Sequence, residues 1–121
     1  MILVAVDDFL FRSKIRATAK HAGVDVTFAR TAPEILEQAR ALTPSLVILD
    51  LNSATLEPIE TLRTMKGDPA LAAIQTLGFV SHVDTARIQA ARDAGADNVM
   101  ARSAFAGQLA EILLTDRTPQ P

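Results

Sequence analysis

Three carboxylates, a hydroxyl and a cation stand where short apolar runs end. Asp7 and Asp8 close the run at residues 2–6, and Asp50 closes residues 46–49. Ser81 follows residues 74–80, and Arg102 follows residues 97–101. Like charges that meet repel, and each carboxyl is pushed toward its neutral form unless something positive joins it. Two neutralisers fit: a divalent cation, or Arg102. Mg²⁺ is the natural ion for an all-oxygen set, because it takes one or two carboxylates, keeps waters and pairs with phosphate. Such a pocket suits phosphoryl transfer to a carboxylate. An aspartate is the nucleophile, the metal shields its charge, and a hydroxyl and a cation hold the remaining phosphoryl oxygens.

Those five residues share a pocket only if the runs before them lie side by side. Residues 2–6 and 46–49 are continuously apolar, as a strand buried on both faces requires. A helix is expected from Phe9 to Ala22, stopped by Gly23, and a strand over residues 24–29. Thr31-Ala-Pro-Glu34 has the form of a capping box with Pro33 in the first turn. Ile35, Leu36, Ala39 and Leu42 then recur at helical spacing, and Pro44 ends that helix. Pro58 opens a short helix carrying Ile59 and Leu62, which Gly67-Asp-Pro69 breaks. Residues 74–80 are a fourth strand candidate, weakened by Gly78. Asp84 is placed to cap a helix reaching Ala94, closed by Gly95, and residues 97–101 form a fifth strand. Phe105, Leu109, Ile112 and Leu113 mark one face of a final helix. Residues 115–121 read as a flexible polar tail.

Five strand-then-helix units predict an α/β fold: a doubly wound, five-stranded parallel sheet, flavodoxin-like order 2-1-3-4-5, with helices on both faces. Strands one and three are then neighbours, and Asp7, Asp8 and Asp50 fall at one end of the sheet. No linker or repeat marks a second domain within residues 1–114, so no separate output module is expected.

Composition excludes several classes. The chain has 121 residues, 12 basic and 14 acidic, for a net charge of −2, which leaves no electrostatic footprint for direct nucleic-acid binding. It has no cysteine, so thiol catalysis and zinc-thiolate sites are out, and His21 and His82 are too few for a histidine-built metal site. No apolar run approaches the ~20 residues of a membrane span, and no basic flank precedes the first strand as in a signal peptide. The cytoplasm is the expected compartment. The first strand leads into Asp-Asp-Phe and not into a Gly-rich phosphate loop, which counts against a nucleotide or flavin enzyme.

The chain resembles the receiver domain of bacterial two-component response regulators. The residues that carry the likeness are Val6-Asp7-Asp8, then Leu49-Asp50 forty-two positions past Asp8, Ser81 thirty-one further on, and Gly95-Ala96-Asp97 before the last strand. The resemblance implies a signalling module and not an enzyme. Asp50 would be the phosphoacceptor, and Asp7, Asp8, Asp50 and the backbone carbonyl of Asn52 the Mg²⁺ ligands. Ser81 would bond the phosphoryl group and move when it arrives. A histidine kinase or phosphotransfer protein would be the donor, and a downstream protein the receiver of the signal. Members often dimerise through the fourth helix, fifth strand and fifth helix. Here the fourth helix carries Ile88 as its one bulky apolar residue, so a homodimer is not assigned by the sequence.

Several positions depart from the family pattern. Its lysine falls at Arg102, seven residues past Gly95, and the proline after it is Ser103. Its inward-swinging aromatic falls at Val99, the proline four residues past the acceptor is Ala54, and the loop glycine is Pro58. Arginine forks onto a carboxylate in two-point fashion, as lysine cannot. This leaves a second expectation open: a degenerate receiver in which Arg102 neutralises Asp50 and partners bind without phosphorylation. Three plainer roles are also expected. Asp7 and Asp8 would cap the first helix, His82 would be a solvated loop residue, and Phe9 and Phe11 would be packing residues.

Overall fold

Ile2, Leu3, Val4 and Ala5 are fully buried, and they divide between two cores. Leu3 and Ala5 join a cluster with Ile35, Ala39, Leu62, Met65 and Ala91. Ile2 and Val4 join the other, with Phe11, Ile15, Phe105, Leu109 and Leu113. Successive strand side chains point to opposite faces, so a run apolar at every position needs cover on both. The computed structural model describes residues 1–82 and 84–117. Its elements are β1 (Ile2–Ala5), α1 (Phe9–Ala22), β2 (Val26–Ala29), α2 (Ala32–Leu42), β3 (Leu46–Asp50), α3 (Pro58–Gly67), β4 (Gln75–Val80), α4 (Thr85–Asp93), β5 (Asn98–Ala101), α5 (Arg102–Gly107) and α6 (Leu109–Leu114). All strand pairs are parallel, in the order β2-β1-β3-β4-β5, as expected. Helices α2, α3 and α4 supply the first core and α1, α5 and α6 the second.

The helix signals act as their chemistry predicts. Asp8 caps α1, and Gly23 ends it in the left-handed region at φ 73°. Thr31 Oγ1 accepts the Glu34 N–H at 3.3 Å, and Pro33 lies in the first turn of α2. Asp84 caps α4 by accepting the Arg87 N–H at 3.0 Å. Gly95 turns the chain toward β5 at φ 109°.

Four local expectations are corrected. The second strand starts at Val26, because the Val24 N–H closes α1 on Ala19 O at 2.9 Å. The last helix is two helices, parted at Gln108, whose N–H is shared between Ala104 O and Phe105 O. Phe9 is 66% exposed and does not pack in the core, whereas Phe11 sits in a three-ring cluster with Phe79 and Phe105. The expected flexible tail at 115–121 is folded at its start. Thr115–Arg117 form one turn of 3-10 helix, and Asp116 binds the Met1 amine and the Ser45 hydroxyl. Residues 118–121 lie outside the described residues. Among the described residues no helix is long and apolar enough to cross a membrane.

Candidate functional site

Asp50 is the last residue of β3 and is only 6% exposed, at the carboxyl end of the sheet where doubly wound folds place their ligands. Its position follows from the strand: Leu49 pairs with Ala5 on β1 and Gly78 on β4, and Asp50 pairs with Phe79. Asp50 Oδ1 accepts the Asn52 N–H at 2.9 Å, and among the described residues its other oxygen has no hydrogen-bond donor and it makes no ion pair. Its pKa is raised. Burial is the main cause, and the negative charges of Asp7 and Asp8 add to it, while the Asn52 N–H and the Arg102 charge work against it. The acids of the first and third strand ends therefore share one electrostatic neighbourhood.

The other two acids are engaged by protein donors. Ser53 Oγ donates to Asp7 Oδ2 at 2.6 Å. Asp8 Oδ1 accepts the N–H groups of Leu10 and Phe11 at 3.0 and 3.2 Å, as an N-cap does. Asp8 Oδ2 accepts from Arg102 Nη2 at 2.8 Å, and the same guanidinium lies over the Phe11 ring, 4.1 Å from its centroid. The Arg102 bond, followed by the Phe11 N–H, lowers the Asp8 pKa. The expectation that Arg102 clamps Asp50 is thus corrected. Arg102 opens α5 immediately after β5, and from there its fork reaches the acid that caps α1. The capping role expected for the acid pair falls to Asp8 alone.

Asn52 joins two strand ends. Its side-chain carbonyl accepts the Ser81 N–H at 2.7 Å while its own N–H holds Asp50. Ser81 is exposed and lines a cavity of about 530 Å³ with Ile88, Arg92, Val99, Met100 and Arg102. His82 is exposed at the same rim, as a solvated histidine. Arg87 Nη1 on α4 donates to Leu51 O at 2.9 Å, which ties that helix to the loop after Asp50. Sequence reasoning missed the parts of Ser53, Arg87 and the Asn52 side chain. Serine and asparagine directly after a strand-ending acid are a weak signal, and Arg87 carries none before the fold is known.

Among the described residues no three acids or histidines form a ready metal cage. Asp8 is turned to its helix and to Arg102, and Asp7 accepts Ser53. The donor set still suits a hard divalent cation such as Mg²⁺. It is all oxygen, and among the described residues Asp50 accepts one backbone N–H and makes no ion pair.

The family model for the response regulator receiver domain matches residues 2–114. No curated protein matches the chain. Solved structures of response regulators share the fold. One from Hahella chejuensis has a TM-score of 0.85 at 20% identity, over 97% of this chain and 94% of that one. The chemotaxis response regulator CheY4 of Vibrio cholerae has a TM-score of 0.81 at 18% identity, over 95% and 96%. The Mn²⁺-bound form of response regulator Rcp1 has a TM-score of 0.78 at 16% identity, over 98% and 96%.

Proposed function

The chain belongs to the response regulator receiver domain family, and from that membership we propose that Asp50 accepts a phosphoryl group from a histidine kinase or phosphotransfer protein. Residues 1–114 are the signalling unit in this reading. Asp50 Oδ2 attacks phosphorus, the phosphorus–nitrogen bond of the donor's phosphohistidine breaks, and its electron pair stays on the imidazole nitrogen. The observation that carries the reading is the condition of Asp50: buried at a strand end, one oxygen held by the Asn52 N–H, the other without a donor among the described residues. A poorly solvated carboxylate with one oriented oxygen is a prepared nucleophile.

Asp7, Asp8, Asp50 and the Asn52 carbonyl are the residues that would hold Mg²⁺. When bound, the ion would shield the charge of Asp50 and of the phosphoryl oxygens. The Ser81 hydroxyl and the Arg102 guanidinium would hold the oxygens that remain. The added charge of about −2 then draws on Ser81 and on the Asn52 bond to its N–H, and so on the face of α4, β5 and α5. A downstream protein reads that face, in the cytoplasm, with no direct contact to nucleic acid or membrane, and a homodimer through it is one form the readout takes.

Incubation with acetyl phosphate and Mg²⁺, followed by intact-mass measurement, tests this. The expected result is one phosphoryl adduct that Asp50→Asn lacks. An unmodified wild-type chain would overturn the proposal.

A further inference from the structure

Two of the three acids are held by backbone N–H groups, Asp50 by Asn52 and Asp8 by Leu10 and Phe11. Asp7 is held differently. Among the described residues its hydrogen-bond donor is a side chain, the Ser53 hydroxyl, 2.6 Å from Oδ2. That length lies in the short range of a hydroxyl bonded to a carboxylate. Asp7 is exposed and lines a cavity of about 510 Å³ with Arg30, Thr31, Glu34 and Thr55. An exposed carboxylate has several staggered rotamers open to it unless a bond selects one. Ser53 is itself buried, at 7% exposure, and its N–H donates to Asp50 O at 3.3 Å in the turn after β3. A fixed stretch of backbone three residues past Asp50 thus sets the side chain of the acid that follows β1.

We propose that Ser53 is a positioning residue of the acid pocket: it holds Asp7 in one conformation and so tunes the pocket toward Mg²⁺ over Ca²⁺. This rests on the reading of Asp7, Asp8 and Asp50 as a cation site and assigns its selectivity to a hydroxyl outside the set of ligands. Mg²⁺ demands near-ideal octahedral geometry, whereas Ca²⁺ accepts more oxygens in a flexible shell and takes carboxylates by one oxygen or by both. A carboxylate with one oxygen bonded to Ser53 meets the stricter demand. The same bond occupies Oδ2 and opposes a grip through both oxygens, leaving Oδ1, which has no donor among the described residues. Groups that orient a metal's ligands from behind carry much of its affinity, although they never touch the ion.

Titration of the full chain with Mg²⁺ and with Ca²⁺ by calorimetry tests this, with Ser53→Ala and Ser53→Thr beside wild type. Ser53→Ala is expected to bind Mg²⁺ about tenfold more weakly, the lower end of what such orienting partners contribute. Its Ca²⁺ affinity is expected to stay within about threefold of wild type, because the larger ion tolerates a mobile carboxylate. Ser53→Thr keeps the hydroxyl and is expected to restore most of the Mg²⁺ affinity. Should Ser53→Ala fail to fold by circular dichroism, Ser53→Cys, of similar volume and a poorer donor, takes its place under the same expectation. Unchanged or tighter Mg²⁺ binding by the variant, or equal losses for the two ions, would overturn the positioning role and leave the cation site standing. A wild-type chain that binds neither ion would overturn the cation site and the positioning role with it.

Discussion

Arg102 Nη2 lies 2.8 Å from Asp8 Oδ2, and among the described residues Asp50 has no ion-pair partner. The pocket's cation is thus bonded to the acid that caps α1, while Asp50 feels that cation's charge without a bond to it. An Arg102–Asp50 pair would have closed the site to both metal and phosphoryl group. The arrangement present keeps Asp50 available and makes the energetic state of its carboxylate the quantity to test.

The raised pKa of Asp50 has a consequence for stability. A carboxyl whose pKa is higher folded than unfolded destabilises the native state when it ionises. The destabilisation is absent below the usual carboxylate range and grows as pH rises through the unfolded and then the folded pKa. Asp50→Asn keeps an oxygen for the Asn52 N–H and removes the charge. It is expected to stabilise the metal-free protein by on the order of 1 kcal/mol at pH 7 and by nothing at pH 3, as measured by urea unfolding at both values. Equal stability at pH 7 would mean that the charge at Asp50 is compensated after all.

Asp97 carries the opposite sign. Burial pushes its pKa up, but bonds from the Thr76 N–H at 2.8 Å, the Thr76 hydroxyl at 3.1 Å and Lys66 Nζ at 3.3 Å outweigh it and the net shift is downward. This stability is present above the unfolded pKa of about 3.9 and is lost as pH falls through the folded one. Asp97→Ala is expected to cost about 2 kcal/mol near neutral pH, because it strips the buried Thr76 N–H of its partner. The difference from wild type should shrink on acidification. A pH-independent difference would assign the effect to packing.

Gly78 lies in β4 between Leu49 of β3 and Val99 of β5. A Cβ there would stand 2.7 Å from the Leu51 side chain, which is fully buried behind Asp50. Gly78→Ala is expected to destabilise by about 1–3 kcal/mol and to slow phosphorylation of Asp50, since the residue that gives way follows the acceptor. Unfolding midpoints and the rate of adduct formation read the two effects separately. An alanine variant as stable as wild type would show that Leu51 moves freely.

The parts of this protein legible in its sequence are those fixed by local chemistry and by burial. Residues 2–6 and 46–49 announced doubly covered strands because a parallel sheet leaves neither face wet. Gly23, Thr31, Pro33, Asp84 and Gly95 marked helix ends through their own side chains or their freedom at positive φ. The acids after β1 and β3 were legible as neighbours once the strand order was deduced. The partner of Arg102 was not, because a long side chain at a strand end reaches several acids at similar distance, and only the placement of α1 beside α5 selects Asp8. The glycine in β4 weakened that strand in the sequence for want of its reason, which is Leu51, twenty-seven residues away. The division of the last helix at Gln108 leaves Phe105, Leu109 and Leu113 all buried, so the apolar spacing carries no trace of it.

The most direct test of the account is the chemical identity of the modified residue. The protein is treated with acetyl phosphate and Mg²⁺, any acyl phosphate is trapped by borohydride reduction, and the peptides are mapped by mass. A single reduced site at residue 50 is the predicted result. Modification at Asp7, Asp8 or another acid, or none in a folded and Mg²⁺-saturated chain, would contradict it.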